Sequence, residues 1–219
     1  MKQIYPDLFM AKLLSPGDLE DITSRTLYHY EAHAKSYWEG TKAHDVTQNY
    51  AAFLDALPKR PGLRLLDLGC GPGRDLLHFR NLGHEPSGLD GSPAFCEMAR
   101  KHACCPVWHQ NFLQLALPLA SFDGVFANAS LFHVPQQELP RVLAELRDAL
   151  VPKGVLFSSN PRGGGEGWSG ERYGAYLDWD TYRKYLEGSG FEPVHHYYRP
   201  TGLPRDRQPW LAVVSRSRS

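Results

Sequence analysis

The chain has 219 residues, 42% of them hydrophobic and 22% charged, with Lys plus Arg equal to Asp plus Glu at 24 each. That length holds one α/β domain with a sizeable core. The charge balance gives no electrostatic case for nucleic acid or an anionic membrane, so a small-molecule partner is expected.

No run approaches the roughly 18 apolar residues of a membrane span, and the start Met1-Lys2-Gln3-Ile4-Tyr5-Pro6-Asp7 lacks the apolar core of a signal peptide. A cytoplasmic location is expected. The cysteines at 70, 96, 104 and 105 form no C-x-x-C pair, so they read as reduced thiols without a structural metal.

Residues 1–24 carry Pro6, Pro16 and Gly17 and read as a loosely packed or partly disordered extension, followed by a single domain over 25–219. A helix over Leu27–Trp38 would put Tyr30, Ala34, Tyr37 and Trp38 on one face. A second would start at an Asp45 N-cap and end at Pro58.

A regular alternation follows. Strand Leu63–Leu68 leads to helix Arg74–Leu82, strand Glu85–Leu89, helix Pro93–His102 and strand Pro106–His109. Strand Phe122–Ala127, helix Glu138–Leu150 and strand Gly154–Ser159 come next. A Gly-rich insertion over 160–174 precedes helix Asp180–Glu187 and two strands, Glu192–Tyr198 and Trp210–Ser215, with no helix between them. This order specifies an α/β fold: a seven-stranded, mainly parallel sheet with an antiparallel last strand, helices on both faces and an N-terminal helical cap. Ligands of such sheets lie at the carboxyl ends of the strands.

The first strand runs into Asp67-Leu68-Gly69-Cys70-Gly71-Pro72-Gly73. Glycines at every second position let backbone bend sharply against a ligand and open a helix whose N–H groups are unpaired. The spacing is not the G-x-G-x-x-G of a dinucleotide turn, and Asp67 suits a ligand bearing an ammonium and a sulfonium better than a diphosphate. Asp90, followed by Gly91 at the end of the second strand, is placed to accept both hydroxyls of a ribose, or else caps the next helix.

On this D-x-G-x-G-x-G motif the sequence resembles the class I S-adenosylmethionine-dependent methyltransferases, whose fold is Rossmann-like. The resemblance implies a methyltransferase using S-adenosyl-L-methionine and releasing S-adenosyl-L-homocysteine, with Asp67, Gly69, Gly71, Gly73, Asp90 and Gly91 at the cofactor. It also implies Asn111 and Phe112 at the adenine and Asn128 at the methionyl end. His133 would serve as base, as ring-orienting partner or as a buttress of its loop.

Guanidinium, phenol and glycine are dense in Asn160-Pro161-Arg162-Gly163, Arg172-Tyr173-Gly174-Ala175-Tyr176 and His195–Pro200, which favours a small zwitterionic or acidic metabolite.

In finer detail the stretch from Leu27 to Trp210 resembles the methyltransferase domain of ovothiol synthases or its free-standing counterpart. The residues that carry this are Trp38-Glu39-Gly40-Thr41 with His44-Asp45-Val46, the glycine turn through Asp75, Phe126–Pro135, Ser158–Gly163 and Tyr197–Arg205. That family methylates the imidazole π nitrogen of 5-thiohistidine. The match starts shortly after Met1, which implies a separate enzyme without the iron-dependent sulfoxide-synthase portion.

The expected acceptor contacts are then Arg162, Arg172 or Arg199 for the carboxylate, with Phe132, Asn160, Tyr173 and Tyr176 lining the pocket. His133, Tyr30 and Tyr37 are expected at the reacting centre. Methylation of another small metabolite at O, S or an amine is the main alternative. A nicotinamide-dependent oxidoreductase and a non-catalytic cofactor-binding module are others, and the sequence leaves oligomeric state open.

Overall fold

The computed structural model describes residues 13–218. Three helices open the described chain: α1 (Pro16–Ala32), α2 (Ala34–Thr41) and α3 (Thr47–Ala56). Then β1 (Arg64–Leu68), α4 (Arg74–Asn81), β2 (Glu85–Asp90), α5 (Pro93–Ala103), β3 (Val107–His109), β4 (Phe122–Asn128), α6 (Leu139–Ala149) and β5 (Leu150–Pro161) follow. The chain closes with the hairpin β6 (Gly165–Ser169) and β7 (Arg172–Tyr176), then α7 (Trp179–Gly188), β8 (Phe191–Arg199) and β9 (Trp210–Ser217).

Seven strands form one sheet in the order β3-β2-β1-β4-β5-β9-β8. β1 to β5 run parallel, and β9 is antiparallel to both of its neighbours. The expected architecture is the observed one.

Side chains on a strand alternate between faces, and helices cover both faces here, so the central strands must be apolar at nearly every position. Leu65, Phe126, Phe157 and Val214 pack on one side with Phe53 of α3 and Phe79 of α4. Leu66, Leu68, Val125, Leu156 and Val213 pack on the other with Val142, Leu143 and Leu146 of α6 and Leu186 of α7. Phe126 stacks on Phe157 with centroids 4.8 Å apart and meets Phe79 edge-on at 5.1 Å. Truncating such a buried ring costs about 3–5 kcal/mol. This rigid centre fixes the strand ends on which the site is built.

Several boundaries differ from expectation for local reasons. Residues 16–24 are not a loose extension. Ser15 caps α1 and Asp18 returns the bond, while Ile22 and Thr26 are buried. Residues 1–12 of the expected extension lie outside the described residues. The expected helix over Leu27–Trp38 is divided at His33 between α1 and α2. Val46, not Asp45, is the N-cap of α3, although the Asp45 carboxylate accepts the Thr47 N–H at 2.9 Å. The Gly-rich insertion contains the β6–β7 hairpin, which lies against α1 through a Tyr173 N–H to Thr26 Oγ1 bond of 3.1 Å. No helix among the described residues is long and apolar enough to cross a membrane.

Candidate active site

Gly69, Gly71 and Gly73 all have positive φ, at +73°, +51° and +91°. Gly73 begins α4, and a Cβ on it would stand 2.8 Å from the Ala99 backbone, so its place is the close packing of α4 on α5. A Cβ on Gly69 would meet the Ser130 Cβ at 2.5 Å and the Phe112 ring at 3.2 Å. The turn therefore passes directly beside the β4 end and the segment after β3. It separates two chambers that share Tyr37, Gly69, Gly71 and Ala129.

The first chamber, with the solvent-open space at its mouth included, spans ≈ 710 Å³. Asp90, Gly91, Asn111 and Phe112 form its end toward β2 and β3, Ser130 and His133 its β4 wall, and Ile22, Thr26, Leu27 and Tyr30 of α1 its roof. The Asp90 carboxylate accepts the Gly71 N–H at 2.9 Å through Oδ2 and the Ser92 N–H at 2.9 Å through Oδ1. Burial raises its pKa to about 6 against these bonds, which favour the charged form, so it is ionised at neutral pH. Each carboxylate oxygen keeps a lone pair for a hydroxyl donor.

Asp67 is buried beneath the turn, lines neither chamber, and its Oδ2 has no partner. Burial, with Asp75 nearby, raises its pKa against the opposing pull of Arg74. Asn111 spends its carbonyl on the Leu113 N–H at 2.9 Å.

His133 faces this chamber with both ring nitrogens in use. Nδ1 bonds the Tyr173 carbonyl at 2.6 Å, and Nε2 lies 2.8 Å from the Tyr30 hydroxyl. A carbonyl only accepts, so Nδ1 carries the proton and Tyr30 donates to Nε2. Burial pushes the His133 pKa down to about 4, so the ring is neutral. Arg172 Nη1 reaches the Tyr30 hydroxyl at 3.4 Å, and the Tyr30 ring meets Tyr37 edge-on at 5.6 Å.

The second chamber, ≈ 1110 Å³ with the solvent-open space at its mouth included, opens between the α2–α3 link and the ends of β4, β5, β8 and β9. Trp38, Thr41, His44, Asp45 and Val46 line one side, and Asn128, Ser159, Arg199, Pro200 and Trp210 the other. Arg74 and Asp75 form the floor of a polar chain. Arg74 Nε and Nη2 donate to the Asp75 carboxylate at 2.7 and 3.1 Å, and Nη1 donates to the Thr41 carbonyl at 3.1 Å. Tyr50 also donates to Asp75, at 2.5 Å. Asn128 Nδ2 lies 3.5 Å from Asp75, Asn49 Nδ2 donates to Asn128 Oδ1 at 2.9 Å, and Tyr197 donates to Asn49 Oδ1 at 2.8 Å.

The structure thus brings together Gly69, Gly71, Asp90, Gly91, Asn111, Phe112, Tyr30, Tyr37 and His133 around the first chamber, and Asn128 and Arg199 at the second. Other expected contacts stand apart. Phe132 and Asn160 line a small apolar cavity with Leu177 and Tyr182, where Asn160 Oδ1 accepts the Phe132 N–H at 3.1 Å. Arg162 closes its guanidinium on the carbonyls of Gln208, at 2.7 Å, and Arg205. Tyr173 turns its ring to Trp168, and only its carbonyl serves the site. Tyr176 packs toward Phe132 and lines neither chamber. Arg172 approaches only through Tyr30.

Sequence reasoning gave no site role to Asn49, Tyr50 or Trp210. It quoted Ser159, and Arg74 and Asp75 beside the glycine turn, without giving them one either.

Residues 65–154 match the methyltransferase-domain family. The chain is 34% identical over 128 residues to trans-aconitate 2-methyltransferase of Delftia acidovorans, covering 54% of this chain and 46% of that protein. It is 30% identical over 132 residues to 24-methylenesterol C-methyltransferase 2 of Oryza sativa, covering 57% and 34%. The chain therefore spans between about a third and a half of the length of the curated relatives it matches.

Among solved structures, it superposes on the 1,6-didemethyltoxoflavin-N1-methyltransferase of Burkholderia thailandensis, bound to 1,6-didemethyltoxoflavin and S-adenosylhomocysteine. The TM-score is 0.75 and the identity 20%, with 95% of this chain and 93% of that one covered. This chain accordingly shares the fold of the S-adenosylmethionine-dependent methyltransferase on which it superposes, and its residues 65–154 match the methyltransferase-domain family.

Proposed function

We propose that the protein is an S-adenosylmethionine-dependent N-methyltransferase of a small zwitterionic metabolite, and that its acceptor is the imidazole π nitrogen of 5-thiohistidine, giving ovothiol A. The observation that carries the narrower reading is where its distinguishing segments meet. Trp38 and Thr41, His44-Asp45-Val46, Asn128, Ser159 and Arg199-Pro200 come from five separate stretches of the chain, and all line the second chamber. A likeness spread over the surface would support no particular acceptor. The toxoflavin enzyme, a neighbour in fold, is named for transfer to a nitrogen of its substrate, which is compatible with this chemistry.

The first chamber suits the adenosyl part of the cofactor. The Asp90 carboxylate offers acceptors to a ribose diol, Phe112 supplies an apolar wall and Gly69 the close backbone approach. When bound, S-adenosyl-L-methionine supplies a methyl group already activated by its sulfonium. The protein's part is to hold the acceptor in line across the glycine turn and to exclude water, and Tyr37 stands at that junction.

A 5-thiohistidine thiolate keeps a lone pair on its π nitrogen, and methylation leaves a ring cation balanced by the thiolate, so no general base is required. The bonding of His133 agrees with this. Neutral and bonded at both nitrogens, it holds Tyr30, and through it Tyr37, in place.

The test is a mass-spectrometric assay of purified protein with S-adenosylmethionine and, in parallel, 5-thiohistidine, histidine and a simple thiol. A gain of one methyl on 5-thiohistidine with little on the others is expected. Preference for another acceptor would return the assignment to a different small metabolite.

A further inference from the structure

Among the described residues, Arg199 is the one arginine at the strand ends that is both in a chamber and not spent. Arg162 is closed on two backbone carbonyls, Arg172 leans on Tyr30, and all three nitrogens of Arg74 are used on Asp75 and Thr41. Arg199 lines the second chamber and makes a single hydrogen bond among the described residues, from Nη2 to the Asp45 carbonyl at 2.7 Å. Its Nε and Nη1 remain available.

Beside it the exposed Asp45 carboxylate is oriented by Thr47, whose backbone N–H donates to Oδ1 at 2.9 Å and whose side chain bonds the same carboxylate. The chamber mouth therefore carries one cation and one anion side by side. Deeper in, Ser159 lines the same chamber, is fully buried, and its hydroxyl has no hydrogen-bond partner. A buried hydroxyl without a partner is costly unless a ligand completes it.

We propose that the mouth of the second chamber is an α-amino-acid subsite in which Arg199 takes the acceptor's carboxylate and Asp45 its ammonium, with the ring directed inward past Ser159. This deepens the proposed function and rests on its placement of the acceptor. A guanidinium fork matches a carboxylate in geometry as well as charge. The floor cannot substitute for it, because Asp75 is already satisfied by Arg74, Tyr50 and Asn128. The subsite selects amino acids over the corresponding amines and is indifferent to whether a methyl group is transferred.

The experiment is calorimetric binding to the S-adenosylhomocysteine-bound protein of two probes, 5-thiohistidine and its decarboxylated analogue. The wild type is expected to bind the amino acid roughly tenfold to a hundredfold more tightly, the span of a charged hydrogen-bonded contact. Arg199→Ala should bring the amino acid down to the level of the amine, leave the amine unchanged and keep affinity for S-adenosylhomocysteine. Arg199→Lys should recover part of the loss.

Equal weakening of both probes in Arg199→Ala would mean that Arg199 only holds the α2–α3 link through the Asp45 carbonyl, and would overturn the proposal. A wild type that binds both alike, or neither, overturns it too. Discrimination without methyl transfer would instead remove the proposed activity and leave the subsite standing.

Discussion

In the proposed function, Asp90 couples the first chamber to pH. Its pKa of about 6 reflects burial set against the Gly71 and Ser92 N–H bonds, and only the ionised form offers acceptors to both hydroxyls of a diol. The pKa is raised, so the charged form is lost as pH falls through about 6, far above the usual carboxylate range. S-adenosylmethionine affinity should be flat above pH 7 and weaken by up to about tenfold per unit below pH 6. Affinity unchanged down to pH 5 in a calorimetric titration would contradict this role.

His133 shifts the other way, down to about 4, so it stays neutral across the working range. At saturating S-adenosylmethionine, where the Asp90 effect is removed, the pH–kcat profile should therefore lack a limb from His133. Tyr30→Phe, which leaves Nε2 without its donor, should lower kcat by no more than about tenfold and leave the shape of that profile unchanged. A hundredfold loss accompanied by a new pH limb would instead make the pair a proton-transfer unit.

Among the elements, α1 shows how the site is roofed. It is fastened to the body on both flanks, by Thr26 to the Tyr173 N–H and Tyr30 to His133 on one side, and by Glu31 to the Ser92 hydroxyl and the Ala94 N–H on the other. Glu31 also places a negative charge at the N-terminus of α5, where the helix dipole favours it. Glu31→Ala should cost about 1 kcal/mol of this fastening, raising the dissociation constant of S-adenosylmethionine about fivefold and speeding proteolysis within α1. Cofactor affinity and cleavage rate both equal to wild type would show that the roof does not depend on this contact.

The sequence announced the aromatic face of this region but not its start at Pro16, because residues 16–24 have few apolar groups and are held mainly by the cap and by Ile22. The β6–β7 hairpin was hidden for a related reason. Gly165-Glu166-Gly167-Trp168-Ser169 carries a single large apolar side chain, and its order depends on pairing with β7 and on the distant Thr26. Strands and helices from β1 to β5 were legible because their apolar patterns and Gly or Pro punctuation are local.

At the scale of the whole molecule, much of the first chamber's lining was readable from one motif and one strand end, since glycine spacing and a strand-terminal carboxylate are sequence features in themselves. The polar chain at the second chamber was not. Asn49 reaches Asn128 across 79 positions, and Asn128 reaches Asp75 across 53, so nothing in any one segment marks the chain they form. The seven-stranded sheet converts those separations into neighbours by bringing the ends of β4, β5, β8 and β9 around a single opening.

The arginines illustrate the consequence. Three were equivalent candidates in the sequence, and the fold spends one on a loop, leans one on a tyrosine and leaves one facing the chamber. In the proposed reaction a methyl group passes from the first chamber across the glycine turn to a ring nitrogen in the second. The most direct test is to supply S-adenosylmethionine labelled with ¹³C in the methyl group together with 5-thiohistidine, and to locate the label in the product by two-dimensional NMR. Correlations from the labelled methyl to the two ring carbons flanking the π nitrogen are the expected result; a methyl on sulfur, or no labelled product from protein that binds the cofactor, would contradict it.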